Sequence, residues 1–252
     1  MAIQDSLLTF KGQMGGISFY KSRNGTYSAR KKGGIDAKRL KTDPAFQRTR
    51  ENSAEFANAA SAARALRRAL VSQLQSAKDS GMSARLTREM IKVLRGDLIN
   101  PRGKRNPMEG DLSVLAGFEF NENAPLSISF RVPHSVSIDR VLGTLSLDIP
   151  AYKPAYNVVQ PVGATHYQLM MAGVEVNLAD GTFTVDSKET ALTAIGGQDE
   201  PAQLLTATVS AQSANPLFVI VGIRFSQLVN GEQYPLHSGA FNALSIAAVD
   251  KV

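Results

Sequence analysis

The apolar residues of this 252-residue chain change their period near residue 110. Between residues 43 and 95 they recur at i, i+3, i+4 and i+7, the repeat of a helix with one covered face. From residue 111 onward they alternate with polar residues, the repeat of a strand with one covered face. A helical part followed by a β part predicts the α+β class. At 252 residues and 43% hydrophobic content the chain is long enough to bury a core, and one or two domains are expected.

Charge divides along nearly the same line. Residues 1–110 carry 22 Lys+Arg against 9 Asp+Glu, a net of +13. Residues 111–252 carry 6 against 13, a net of −7, which completes the overall +6. Such a molecule can bind a polyanion with its front, or the back of a second copy of itself.

Four segments are expected. Residues 1–42 read as a basic, glycine-rich arm. Asn24-Gly25 lies between two β-prone runs and predicts a hairpin pairing 17–21 with 26–30 through a type I′ turn. Residues 43–95 read as an αα-hairpin. Asp43 and Pro44 open a long helix to about residue 80, with Phe46, Phe56, Ala59, Ala63, Leu66, Leu70 and Leu74 on its apolar side. Gly81 ends it, and Ser83 caps a second helix to about Arg95. Residues 96–110, rich in Pro, Gly and Asn, read as a linker. Residues 111–252 read as an antiparallel β-sandwich of about seven or more strands, Ig-like or similar. Leu112/Val114, Phe118/Phe120, Ile128/Phe130, Leu145/Leu147/Ile149, Tyr167/Leu169 and Phe218–Phe225 are among the strand candidates, and Asn230-Gly231 predicts a second tight hairpin.

The opening G-x-x-G-x-I-x-F-Y-K-x-x-N-G, followed by R-K-K-G-G and D-P-A-F-x-R-T-R-E-N, resembles a family of uncharacterised Bacteroidota proteins. The closing F-S-Q-x-V-N-G-E-Q-Y-P-L-H-S-G-A-F-N-A-L-S-I, Phe225 to Ile246, is similar to the end of the same family. The resemblance implies one ordered architecture of basic arm, helices and β domain. It implies no catalytic residue, because the family's role is unknown.

The residues point away from catalysis. The sequence has no Cys, so it offers no disulfide, thiolate metal site or Cys nucleophile. His134, His166 and His237 are far apart and form no metal-ligand spacing. There is no G-x-S-x-G elbow and no Walker A frame around Lys31-Lys32-Gly33-Gly34. Asp186 with Glu189, and Asp199 with Glu200, read as loop charges. Glu51 and Glu55 read as local helix ion pairs beside Arg48 and Arg50. The expectation is a non-enzymatic protein with no cofactor and no metal. No stretch reaches the ~20 apolar residues of a membrane span, and the first residues lack a Sec signal pattern, so cytoplasmic synthesis is expected and the final location is left open.

The arm is the strongest functional candidate. An isolated two-stranded hairpin is marginal in water and has to rest on something. A structural or scaffolding subunit that self-assembles through its arm into a ring, tube or filament is the first expectation. A nucleic-acid-binding protein is the alternative, since cations interleaved with rings suit phosphates and bases. Both assign the contact to Phe19, Tyr20, Arg23, Arg30, Lys31 and Lys32 of the arm and to Arg64, Arg67 and Arg68 of the first helix. Arg85, Arg88 and Lys92 would extend the basic face.

Overall fold

The computed structural model describes residues 2–4, 8–22, 24–31, 35–77 and 79–251, without the side chains of His237 and Ser238. The chain divides into two compact units, Met1–Arg50 and Glu51–Val252.

The first unit holds four short strands: β1 (Ala2–Ile3), β2 (Gly12–Met14), β3 (Ile17–Lys21) and β4 (Tyr27–Lys31). They form one antiparallel sheet in the order β1-β4-β3-β2. The predicted hairpin is present with a different turn. Lys21 pairs with Tyr27, and the Ser22 N–H donates to Thr26 O at 2.8 Å. The Gly25 N–H closes the turn onto Ser22 O at 2.9 Å, and Gly25 carries φ +87°. Asn24 is not among the positive-φ residues. The loop is one residue longer than the two-residue type and puts glycine, not Asn24, at a left-handed position, so the turn is not type I′. After the sheet come α1 (Ala37–Thr42) and a 3₁₀ turn at Pro44–Phe46, whose cap is Asp43 accepting from the Ala45 N–H at 2.9 Å.

Three helices follow: α2 (Gln47–Ala69), α3 (Val71–Leu74) and α4 (Met82–Arg95). The single helix expected over 43–80 is therefore broken twice, by the 3₁₀ turn and at Leu70, which leaves helical geometry with φ −98° and ψ 18°. On α2, Ala59, Ala62, Ala63, Ala65, Leu66 and Ala69 are buried. Small side chains let the helix lie close on its neighbour. Phe56 is in phase with that stripe but lies before its covered part, and it is exposed.

The rest of the chain is mainly antiparallel sheet. A short helix α5 (Leu126–Ser129) precedes β5 (Ser135–Asp139) and β6 (Thr144–Ile149); α6 (Pro154–Asn157) precedes β7 (His166–Val176), β8 (Phe183–Glu189), β9 (Thr193–Ala194) and β10 (Gln203–Thr208). The chain ends with β11 (Leu217–Val229), β12 (Glu232–Pro235) and β13 (Ala243–Asp250). A three-stranded sheet has the order β10-β6-β5. In the larger, curled sheet β7 pairs with β11. Strands β8 and β9 line the far edge of β7, and β12 and β13 the far edge of β11.

The larger sheet is covered on both faces, which explains why β7 and β11 are almost continuously apolar. Met170, Ala172, Val174, Val176, Phe218, Ile220, Leu244 and Ile246 share one core with α2 and α4. Leu169, Met171, Leu217, Val219, Val221 and Ile223 share a second core with Leu145, Leu147 and Ile149 of β6. Gly173 lies where the two sheets approach closely. A Cβ there would stand 2.9 Å from Ala207 Cβ.

Three strand expectations fail for local reasons. Leu112–Leu115 forms a 3₁₀ turn because the Asp111 carboxylate accepts from the Ser113 N–H at 3.1 Å. Pro125 fixes the entry to α5, so Leu126–Ser129 turns helical. Phe118 and Phe120 form only a short bridge to β13, through Ile246 N–H to Phe118 O at 3.0 Å and Phe120 N–H to Leu244 O at 2.9 Å. Asn230-Gly231 makes the expected tight hairpin, through a type I′ turn with φ of 53° and 82° and Val229 paired to Glu232.

Residues 96–110, expected as a linker, lie within the Glu51–Val252 unit and are tied in by charge. Glu51 and Glu55 reach this segment. Arg102 lies 3.7 Å from Glu51, Arg105 lies 3.5 Å from Glu55, and the Gly103 N–H donates to Glu55 at 3.0 Å. Asp97 is buried at the centre. It accepts from the Ile99 and Asn100 N–H groups at 2.9 Å, from the Asn106 N–H at 2.8 Å and from the Asn100 amide at 2.8 Å. Burial pushes its carboxyl up, but these donors outweigh that and hold it far below the usual carboxylate range.

Candidate assembly arm and basic patch

The sheet of the first unit has two unlike faces. The register places Ile17 opposite Met14 and Lys31, and Phe19 opposite Gly12 and Ala29, so these side chains share one face. Phe10 adds its ring 5.8 Å from that of Phe19. The opposite face carries Ser18 beside Arg30 and Tyr20 beside Ser28. The Arg30 guanidinium lies 5.5 Å from the Tyr20 ring, and the Lys21 ammonium 5.3 Å from the Tyr27 ring. Both tyrosine rings therefore already carry a cation.

Among the described residues of this unit only Ser28 is buried. None of them belongs to either hydrophobic core. The apolar face stays open: Ile17 is 44% exposed, Phe10 49% and Met14 64%. A shallow hollow of about 420 Å³ lies on the sheet, lined by Ala2, Gly16, Ile17, Ala29, Arg30 and Lys31.

Of the arm residues expected to make contact, Phe19 and Lys31 share the apolar face, whereas Tyr20 and Arg30 share the other. Arg23 and Lys32 lie outside the described residues.

Arg64, Arg67 and Arg68 belong to the other unit and come together on α2. With Val71 they line an open hollow of about 730 Å³. Arg67 is half-buried and fixed: its Nη1 donates to Ser83 Oγ at 2.8 Å and its Nε to Ala63 O at 3.3 Å.

Arg85 does not extend this basic surface. It turns inward, pairs with Asp79, donates to Glu119 O at 2.8 Å and lies 5.3 Å from the Phe118 ring. Arg88 and Lys92 both pair with Glu89 on their own helix. The pattern of basic residues along α4 could not reveal this, because Asp79 and Glu119 are brought in by the turn before the helix and by the bridge to β13.

The residues that would make an enzymatic site are dispersed. His166 stands opposite Ala194 and Asp186 opposite Gly173, seven residues apart along β7, or roughly 24 Å. Asp186 accepts from Lys188, Thr208 N–H and Thr208 Oγ1, and Glu189 pairs with Arg224. His134 Nδ1 lies 2.9 Å from Val132 O. The His237 side chain lies outside the described part. Among the described residues no three His, Asp or Glu side chains gather where a metal ion could sit. Nor is any described helix long and apolar enough to cross a membrane.

Set against known proteins, the chain matches no protein-family model, no curated protein and no solved structure.

Proposed function

We propose that this protein is a non-enzymatic structural subunit that self-assembles through its N-terminal sheet. One observation carries the reading: four strands with one buried residue among them and an apolar face left open. An apolar face left in water is stabilised by a partner that covers it. The partner in this reading is a second copy of the chain. Residues 1–50 carry 11 Lys+Arg against 3 Asp+Glu, a net of +8, and residues 111–252 a net of −7. Asp139, Asp148 and Glu232 of that acidic half are exposed and have no cationic partner among the described residues. A head-to-tail contact between unlike patches closes into a ring or propagates as a filament.

The finer description of the β-rich part belongs to the same proposal: a sandwich, Ig-like in the broad sense. Its support is the core that β6 shares with β7 and β11.

The test replaces Ile17 and Phe19 by Ser and follows assembly by sedimentation velocity across a concentration series. Fully burying a large apolar side chain contributes about 1.5–3 kcal/mol. Both residues are already partly covered, so the pair contributes roughly 1–3 kcal/mol to association, or about five- to 150-fold in affinity. Unchanged assembly of the double variant refutes the proposal, as does a wild-type chain that stays monomeric at every concentration.

A further inference from the structure

The arginine hollow on α2 is left over by the assembly proposal. Arg64, Arg67 and Arg68 stand at i, i+3 and i+4, where like charges face one another and repel. Several arginines of the second unit lie beside carboxylates: Arg85 with Asp79, Arg102 with Glu51, Arg105 with Glu55, Arg140 with Asp250. Arg64 and Arg68 are exposed and have no hydrogen-bond or ion-pair partner among the described residues. No carboxylate lines their hollow. Gly181 lies beside Arg68: a Cβ added there would stand 3.8 Å from its Nη1. Arg67 is held between the two by Ser83 Oγ and Ala63 O.

We infer that Arg64, Arg67 and Arg68 form a nucleic-acid site that grips the phosphate backbone without reading sequence. Guanidinium forks match phosphate oxygens two at a time, and three of them along one helix face suit a chain of phosphates. Val71, 57% exposed, is the only apolar residue of the lining, which is too little to enter a lipid surface. No aromatic ring lines the hollow, so bases find no stacking platform there. The arm is not required, since its two tyrosine rings are already occupied by Arg30 and Lys21.

The test measures binding of a fluorescent 20-nucleotide single strand and a 20-base-pair duplex to the full chain by anisotropy, from about 50 to 300 mM NaCl. The wild type binds, with log K falling linearly in log salt. Arg64→Gln/Arg68→Gln weakens binding tenfold or more at about 100 mM salt and flattens the slope by about 1.4–1.8, the share of two phosphates. Arg64→Lys/Arg68→Lys keeps most of the slope. Both residues lack protein partners among the described residues and repel their neighbours, so the Gln variant melts no lower than the wild type. Three results overturn the inference: no binding at the lowest salt, a Gln variant equal to wild type, or polyglutamate of equal charge competing as well as the single strand.

Discussion

Replacing Asp97 by Ala removes the acceptor of three backbone N–H groups and one side-chain amide in a single step. A buried donor left without a partner costs about 1–3 kcal/mol. Leu98 and Ile99 are largely exposed, so water regains part of the loss for the nearest groups. The balance is about 3–5 kcal/mol, a large share of the 5–15 kcal/mol that holds a typical protein folded. At roughly 2–4 °C per kcal/mol for a chain of this size, Tm falls by about 6–20 °C. Urea unfolding followed by circular dichroism reads the change as a lower midpoint at constant m. Loss of less than about 1 kcal/mol refutes the claim that Asp97 organises residues 96–110.

The same carboxyl predicts a pH signature. Its folded value lies below the ordinary aspartate value of 3.8, so just below 3.8 the unfolded chain binds more protons than the native one. Stability from Asp97 is complete above the ordinary value and is lost as pH falls through the folded value. Asp97→Asn has no such group. The gap between wild type and Asp97→Asn therefore narrows as pH drops below 3.8, and a gap that stays constant contradicts the assignment.

Arg85→Ala leaves Asp79 without its cation in a largely buried place and frees the 119–122 segment; a loss of about 3 kcal/mol is expected in the same unfolding assay. Gly173→Ala forces a methyl against Ala207 where the two sheets cross and destabilises by about 1–3 kcal/mol, and a neutral result shows that the sheets separate there at little cost.

The two Asn-Gly dipeptides show what the sequence carries and what it leaves out. Asn230-Gly231 makes a type I′ turn and Asn24-Gly25 does not, because pairing at Lys21↔Tyr27 adds a residue to the first loop. Register is a property of two strands, and one dipeptide cannot set it. The apolar run of β11 was legible because burial on both faces leaves no alternation to misread, whereas β7, equally covered, showed only as alternating pairs such as Tyr167/Leu169. Leu112 and Val114 alternate like a strand, yet the Asp111 cap closes a tighter turn. At the candidate site, the grouping of Arg64, Arg67 and Arg68 follows from helical spacing. The inward turn of Arg85 does not, since its partners come from 79 and 119–122. Glu51 and Glu55 sit beside Arg48 and Arg50 in the sequence, and spacing could not reveal that they also meet Arg102 and Arg105 of a segment about fifty residues on.

Amide hydrogen exchange of β3 and β4, measured on dilute and concentrated protein, bears most directly on assembly through the arm. Residues 17–21 and 27–31 have no hydrophobic core of their own, so their amides in a lone copy open readily. Once the apolar face rests on a second copy, opening requires the copies to part first. Protection of these ten residues that rises with protein concentration, while β7 and β11 stay unchanged, is the predicted result. Protection that is independent of concentration contradicts the proposal.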